Sequence, residues 1–203
     1  MTKIKICGLS RTEDIEFVNE ALPDYIGFVF AKSKRQLTFE KAKQLKAMLN
    51  PKIKAVGVFV NEPIDNIIIL CKLNVIDIIQ LHGEEDAEYI KKLSISLQNP
   101  IIKAARVKSE NDIVRAEEYN TDYILLDAYK EGEYGGSGNS FDWEMIHHVQ
   151  KPFFLAGGVN PQNVIEAIKA AKPYGIDVSS GVETDGIKDR NKIMDIITKV
   201  RSV

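Results

Sequence analysis

The sequence predicts an α/β fold, a (β/α)8 TIM barrel that forms one domain over residues 1–203. Eight short apolar runs rich in Ile and Val alternate with amphipathic stretches. Runs of this kind are typical of parallel strands that are buried on both faces and joined by helices. Eight units in 203 residues lie at the lower end of the roughly 200 to 400 residues of such barrels. The alternative, a doubly wound open sheet, more often has five or six strands.

The individual elements follow from local patterns. The predicted strands are, in chain order, residues 4–7, 25–30, 53–60, 75–81, 101–107, 123–127, 153–156 and 176–178. Ser10 and Glu13 have the spacing of a capping box at a helix start, as do Ser109 and Asp112. Asn160 precedes a proline, which is also typical of a helix start.

Composition and charge narrow the possible partners. The chain has 27 basic and 29 acidic residues, a net charge of −2, and this balance argues against nucleic-acid binding and gives no reason to expect a membrane partner. Its two cysteines are far apart and no Cys/His cluster has zinc spacing, so neither a disulfide framework nor a zinc site is expected. The first residues lack the apolar stretch of a signal peptide, and we therefore expect a cytoplasmic location.

Three loops rich in glycine and serine follow the sixth, seventh and eighth strands. Glycines let backbone amides approach an anion closely, and the next helix end adds a favourable dipole. Phosphate sites in such barrels cluster after strands seven and eight, so the three loops together predict one, although a single glycine turn usually only reverses the chain. The loop residues that we expect to bind are Gly136, Ser137, Gly138, Gly157, Gly158, Ser180 and Gly181.

Cys7 is the first candidate for chemistry, because it ends the first strand on the face where barrel enzymes carry their sites. Strand alternation directs Lys5 and Cys7 toward the barrel axis and Ile6 toward the helices. We expect the Lys5 ammonium to favour the thiolate, the form that acts as a base or nucleophile. The alternative is a small buried apolar residue without a chemical role.

Charged residues at the other strand ends are further candidates. Asp127 ends the sixth strand, where burial would raise its pKa and keep a proton ready for donation; the alternative is a carboxylate that caps a turn. Arg35 can bind a carboxylate through two N–H groups, or it is a solvated loop charge. His82 is an acid, a base or a structural histidine. Asp177 pairs with Lys5 or binds a sugar hydroxyl.

The strand ends resemble the phosphoribosylanthranilate isomerase family, in order, from residue 3 to beyond residue 183. The matching segments are KICGLS (5–10), GFVF (27–30) with SKR (33–35), VGVFV (56–60), QLHG (80–83), LDA (126–128), GGSG (135–138) with FDW (141–143), LAGG (155–158) and DVSSGVE (177–183). The departures are small: Ser10 and Ser137 stand where threonine is usual, and Gln36 stands where an aromatic residue or histidine is common.

The resemblance implies an isomerase of tryptophan biosynthesis that needs no metal or organic cofactor. Its substrate would be N-(5-phosphoribosyl)anthranilate, which an Amadori rearrangement converts to 1-(2-carboxyphenylamino)-1-deoxyribulose 5-phosphate. Asp127 would be the general acid at the furanose ring oxygen, and Cys7 the general base at the sugar C2. Arg35 would hold the anthranilate carboxylate, and the glycine loops would hold the phosphate. His82 and Asp177 would lie near the ribose or adjust the properties of the acid and the base.

Other functions remain open at this stage. Another phosphate-binding barrel, such as a pentulose-phosphate epimerase or a thiamin-phosphate synthase, is one alternative, although an epimerase would need metal ligands on several strand ends and only His82 is available. A sugar-phosphate binder without catalysis is the alternative of a different class. The expected partner is in any case a small molecule, and the expected assembly is a monomer or a homodimer.

Overall fold

Eight parallel strands close into a barrel in sequence order, with the last strand paired to the first. The computed structural model describes residues 1–127, 143–146 and 149–203. The strands are Lys3–Cys7 (β1), Tyr25–Val29 (β2), Lys54–Phe59 (β3), Ile78–Leu81 (β4), Ile101–Arg106 (β5), Tyr123–Asp127 (β6), Phe153–Ala156 (β7) and Gly175–Val178 (β8). The predicted barrel is thus confirmed, and a doubly wound open sheet is excluded because the strands close.

Helices cover the outside of the barrel. The described part of the chain holds seven α-helices, Thr12–Ala21 (α1), Phe39–Met48 (α2), Ile64–Lys72 (α3), Ala87–Ser96 (α4), Glu110–Glu118 (α5), Val164–Ala171 (α6) and Arg190–Arg201 (α7). Short 3-10 helices span Trp143–Ile146 and Ser180–Val182, and a two-stranded hairpin follows β8, formed by Glu183–Thr184 (β9) and Ile187–Lys188 (β10). No helix of the described residues is long and apolar enough to cross a membrane.

The helix starts agree with the sequence in one case and differ in two. At α5 the carboxylate of Asp112 accepts from the Ser109 amide at 2.9 Å, as the capping-box spacing predicts. At α1 the prediction is wrong, because Asp14 instead of Glu13 accepts from the amides of residues 10 and 11. Asn160 organises the turn before α6, and that helix begins only at Val164.

The strand boundaries also shift for local reasons. The fourth strand begins at Ile78, later than the apolar run suggests, because the Val75 amide still bonds to the Leu70 carbonyl and closes the end of α3. The third strand ends at Phe59, since Val60 is exposed and Asn61 has a left-handed backbone. In β3 and β4 the apolar run is therefore longer than the hydrogen-bonded strand.

The core has two layers, as strand alternation predicts. Ile4 and Ile6 of β1 belong to the large outer cluster between the barrel and its helices. A smaller inner cluster fills the barrel itself and is formed by Tyr25, Val56, Ile78, Ile102, Ala104, Leu125, Phe154 and Ala156. The aromatic rings of Tyr25 and Tyr174 flank Phe154, and their hydroxyl groups lie 2.8 Å apart. Tyr25 is the first residue of β2, and Tyr174 immediately precedes β8. These aromatic residues therefore pack the end of the barrel opposite the candidate site.

Candidate active site

A cavity of about 280 Å³ lies at the carboxyl ends of the strands. The side chains at its wall come from β1, β2, β3, β4, β6, β7 and β8 and from the loops that follow them. They are Cys7, Val29, Val58, Gln80, His82, Asp127, Ala156, Gly157, Gly158, Val159, Asp177, Ser179, Ser180 and Gly181. The barrel thus brings together most of the candidates that the sequence analysis identified in separate segments.

Cys7 is held tightly against the neighbouring strand. It pairs with Gly27 of β2, and a Cβ atom added at residue 27 would lie only 2.6 Å from the Cys7 sulfur. Only a glycine leaves room for the thiol there. Ser179 donates a hydrogen bond from its hydroxyl to the Cys7 carbonyl at 3.1 Å, which links β1 to the loop after β8.

A buried ion pair lies one layer below Cys7. The Lys5 ammonium is completely buried and donates to the Asp177 carboxylate at 2.9 Å. Burial lowers the pKa of Lys5, but the Asp177 carboxylate and Cys7 together outweigh this and hold the pKa above its ordinary value. Asp177 Oδ2 is used in this pair, while Oδ1 is buried and has no partner among the described residues. Of the two predicted roles for Asp177, pairing with Lys5 is confirmed.

The expected activation of Cys7 by Lys5 is wrong in its net direction. Burial raises the pKa of the Cys7 thiol, and the nearby Lys5 ammonium lowers it by less. Part of the reason is that the Asp177 carboxylate beside Lys5 also raises this pKa. The resting form of Cys7 at neutral pH is therefore the thiol, because its pKa lies above an ordinary value that is already basic.

Asp127 and His82 are neighbours in the lining of the cavity. His82 Nε2 lies 3.5 Å from Asp127 Oδ2, and His82 Nδ1 lies 3.0 Å from the Gln80 amide nitrogen. Because that amide nitrogen can only donate, Nδ1 accepts, and the neutral ring carries its proton on Nε2 toward Asp127. The Asp127 side chain is 26% exposed, so the expectation of a buried carboxyl is wrong.

The glycine loops after β7 and β8 form the part of the cavity wall between β6 and β1. Gly157 and Gly158 both have a left-handed backbone, with φ of 86° and 68°. A Cβ atom at Gly181 would lie 2.0 Å from the Val159 carbonyl oxygen, so the absence of a side chain lets the two loops touch. Ser180 begins the short 3-10 helix beside them. The predicted phosphate residues Gly136, Ser137 and Gly138 lie outside the described residues.

Arg35 lies beside the cavity and does not line it. Its guanidinium makes two hydrogen bonds to the Glu183 carboxylate, from Nε at 2.8 Å and from Nη2 at 2.6 Å. Its aliphatic part covers Gly8, where a Cβ atom would lie 2.4 Å from Arg35 Cδ. The interpretation of Arg35 as a solvated loop charge is therefore wrong, since a buried carboxylate pairs with it next to Cys7.

Comparison with known proteins identifies the family. A sequence model described as N-(5'phosphoribosyl)anthranilate (PRA) isomerase matches residues 4–199. The chain belongs to this isomerase family. An N-(5'-phosphoribosyl)anthranilate isomerase of Endomicrobium trichonymphae is 50% identical over 203 residues, which are 100% of both chains. The crystal structure of phosphoribosyl anthranilate isomerase from Thermotoga maritima is similar with a TM-score of 0.90 at 40% identity over 100% of both chains.

A further structure of the family contains a ligand. This phosphoribosyl anthranilate isomerase, crystallised in complex with reduced 1-(o-carboxyphenylamino)-1-deoxyribulose 5-phosphate, is 37% identical to the chain, with a TM-score of 0.87 over 100% of both. The TIM-barrel fold and the isomerase family predicted from the sequence are thus confirmed. The roles of individual residues are a separate question, which the geometry of this chain addresses.

Some residues of this isomerase site escaped the sequence analysis. Gln80 and Ser179 line the cavity, and Gly27 makes room for Cys7; all three lie in segments that resemble the family, but the sequence assigns a role to none of them. Glu183 lies in the DVSSGVE segment, where a charge at the end of a predicted binding loop is a signal that can identify it. Lys188 is buried beside Glu183 although it lies in a hairpin, and no local pattern indicates that.

Proposed function

We propose that this chain isomerises N-(5-phosphoribosyl)anthranilate to 1-(2-carboxyphenylamino)-1-deoxyribulose 5-phosphate in tryptophan biosynthesis, with Asp127 as general acid and Cys7 as general base. One observation carries the assignment: Cys7 and Asp127, from strands β1 and β6, line the same cavity as the glycine loops after β7 and β8. A phosphate held by those loops would fix one end of the sugar between the acid and the base.

The first step opens the sugar ring. Asp127 donates a proton to the ring oxygen, the bond between that oxygen and C1 breaks, and the nitrogen lone pair forms an iminium at C1. His82 Nε2, 3.5 Å from Asp127, is suited to stabilise the carboxylate that this donation leaves. The partial exposure of Asp127 lets water restore its proton between turnovers.

The second step removes the proton from C2. Once the iminium has formed, the Cys7 thiol gives its proton to water in the cavity, and the resulting thiolate takes the proton from C2. The C–H electrons form a double bond between C1 and C2, and the iminium nitrogen becomes neutral. The enol-amine then becomes the ketone by losing the hydroxyl proton and gaining a proton at C1. Burial keeps Cys7 a thiol before substrate binds, and the iminium would add a second positive charge near the sulfur, beside that of Lys5, and so lower the thiol pKa further.

The remaining predicted residues are proposed to bind substrate. Gly157, Gly158, Ser180 and Gly181 would hold the phosphate, together with Gly136, Ser137 and Gly138 of the loop after β6. His82 would donate a hydrogen bond from Nε2 at the ribose, and Oδ1 of Asp177, which has no partner among the described residues, would accept one there. Arg35 would hold the anthranilate carboxylate from the cavity rim.

The wider setting is also proposed. The chain would act as one domain in the cytoplasm, without a metal or an organic cofactor and without nucleic-acid or membrane partners. It would be a monomer or a homodimer, which analytical ultracentrifugation distinguishes.

The direct test is a fluorescence assay of purified protein with freshly made phosphoribosylanthranilate, in the presence of a metal chelator. We expect turnover that is insensitive to the chelator, since proton transfers by Cys7 and Asp127 need no metal. A chain that binds the product but leaves the substrate unchanged would instead be a sugar-phosphate binder, and the proposal would be wrong.

A further inference from the structure

Glu183 is a buried carboxylate that accepts hydrogen bonds from two cations at the rim of the cavity. Its side chain is 6% exposed, and it accepts from Arg35 Nε at 2.8 Å, from Arg35 Nη2 at 2.6 Å and from Lys188 Nζ at 2.6 Å. Burial raises the pKa of Glu183, but these hydrogen bonds outweigh it and hold the pKa below its ordinary value. The carboxylate is therefore charged at neutral pH, and separating it from Arg35 and Lys188 would leave a buried charge without compensation.

The pairing of Arg35 with Glu183 leaves half of the guanidinium available. A guanidinium has five N–H groups, and Glu183 uses the side formed by Nε and Nη2. The Nη1 atom is hydrogen-bonded to none of the residues that the structure describes. Nη1 and the second N–H of Nη2 together form another planar fork, which fits a second carboxylate with two parallel hydrogen bonds.

Lys188 connects this pair to the loop after β8. Its ammonium is 2% exposed and donates both to Glu183 and, at 2.9 Å, to the Ser179 carbonyl. Ser179 in turn donates to the Cys7 carbonyl. Burial lowers the pKa of Lys188 and the Glu183 carboxylate opposes this, so with Lys188 protonated the three side chains carry one net positive charge.

We infer that Glu183 is a positioning residue that orients Arg35 so that its second fork binds the carboxylate of the substrate's aromatic ring. This inference rests on the proposed function, because it takes Arg35 as the carboxylate-binding residue. Through Lys188 the same carboxylate also fixes the start of the loop that is proposed to bind phosphate. Glu183 thus sets the distance between the two anion-binding ends of the site and does not touch substrate itself.

The variant Glu183→Gln tests the inference, with Glu84→Gln on the exposed loop after β4 as a matched control. We expect the KM for phosphoribosylanthranilate to rise about tenfold to a hundredfold in the variant, since a charge-assisted pair is lost, while kcat changes little. Titration calorimetry with the product and with an analogue that lacks the ring carboxylate is the decisive measurement. Glu183→Gln should weaken binding of the product and leave the binding of the analogue as it is.

A double-mutant cycle separates this inference from the proposed function. In an Arg35→Ala background, Glu183→Gln should add no further loss of product affinity. If Arg35→Ala itself leaves the preference for the carboxylated ligand unchanged, the proposed role of Arg35 is wrong. If Arg35→Ala removes that preference while Glu183→Gln weakens both ligands equally, only the positioning role is wrong.

Two further outcomes are decisive. A lower KM in Glu183→Gln would mean that Glu183 competes with the substrate for Arg35, which overturns the inference. If Glu183→Gln does not fold, Glu183→Asp answers the same question, because it keeps the charge but shortens the side chain by one methylene and so moves the carboxylate away from the Arg35 guanidinium. The inference then requires that this variant lose the preference for the carboxylated ligand, and retention of the preference would contradict it.

Discussion

Cys7 and Asp127 line one cavity, yet their surroundings are opposite. Cys7 is 8% exposed, packs against Gly27 and lies above the closed Lys5–Asp177 ion pair. The Asp127 side chain is 26% exposed, and its neighbour His82 is exposed to a similar degree. The Cys7 side of the cavity, which we call the dry side, is thus largely shielded from solvent and lies over a closed ion pair, whereas the Asp127 side is open to water.

This difference explains how two weak groups can divide the reaction. A dry thiol with a raised pKa does not lose its proton until a cation forms beside it, which protects it from unproductive ionisation in the resting enzyme. The Asp127 carboxyl is open to solvent, which gives it a path for the proton that each proposed turnover consumes. The order of the proposed steps, acid first and base second, is consistent with these two environments.

The largest effect is expected from Cys7→Ser. A serine hydroxyl fits the space beside Gly27, but it is far less acidic than a thiol and does not ionise when the iminium forms. We expect kcat to fall by about 10³ to 10⁴, toward the upper end of what a general base contributes, while the dissociation constant of the product stays within about threefold. Steady-state kinetics and calorimetry measure both quantities. An equal loss of product affinity would show that Cys7 binds substrate instead of removing a proton.

The next effect is expected from Asp127→Asn. The amide keeps the shape of the carboxyl and can still accept from His82, but it has no proton to give to the ring oxygen. We expect kcat to fall by about 10² to 10³, somewhat less than for Cys7→Ser because water reaches this side of the cavity and can protonate the ring oxygen slowly. Added formic or acetic acid should restore part of the rate in this variant and none in Cys7→Ser. Rescue of both variants, or of neither, would contradict the division into an open and a dry side.

A smaller effect is expected from Gly27→Ala, which tests the close packing on the dry side. The new Cβ atom would lie 2.6 Å from the Cys7 sulfur, so the thiol must move away from its position over the cavity. A displacement of this size costs about tenfold to a hundredfold in kcat. Gly57→Ala is the matched control, because its Cβ would press on Phe59 and Ile76 at 2.8 Å and not on Cys7. If both variants lose the same activity relative to their folded fraction, general destabilisation is the cause.

The sequence predicted the skeleton of this site better than its electrostatics. The strand count, the chain order and the inward direction of Cys7 follow from the hydrophobic periodicity of the segments and from the alternation of side chains along a strand. Both patterns can be read within a single segment. The net pKa direction at Cys7 does not follow from them, because it depends on Asp177, which lies 170 residues away in the chain and reaches Lys5 only when β8 closes on β1. The pairing of Arg35 with Glu183 is of the same kind, since it joins the second strand's loop to the hairpin after β8.

The smallest effect is expected in the pH profile, and it compares the two sides directly. Because the pKa of Cys7 is raised, the thiolate fraction grows as the pH rises, and kcat/KM should increase about tenfold per unit from neutral pH toward the folded pKa of Cys7. Lys5→Met removes the ammonium beneath Cys7 that lowers this pKa, so the whole rise should move to higher pH. Asp127→Asn should leave the alkaline rise where it is, because that residue acts on the other side of the cavity. A profile that is flat above neutral pH in the unmodified chain would mean that thiol ionisation does not limit the reaction, and the contrast between the two sides would lose its mechanistic meaning.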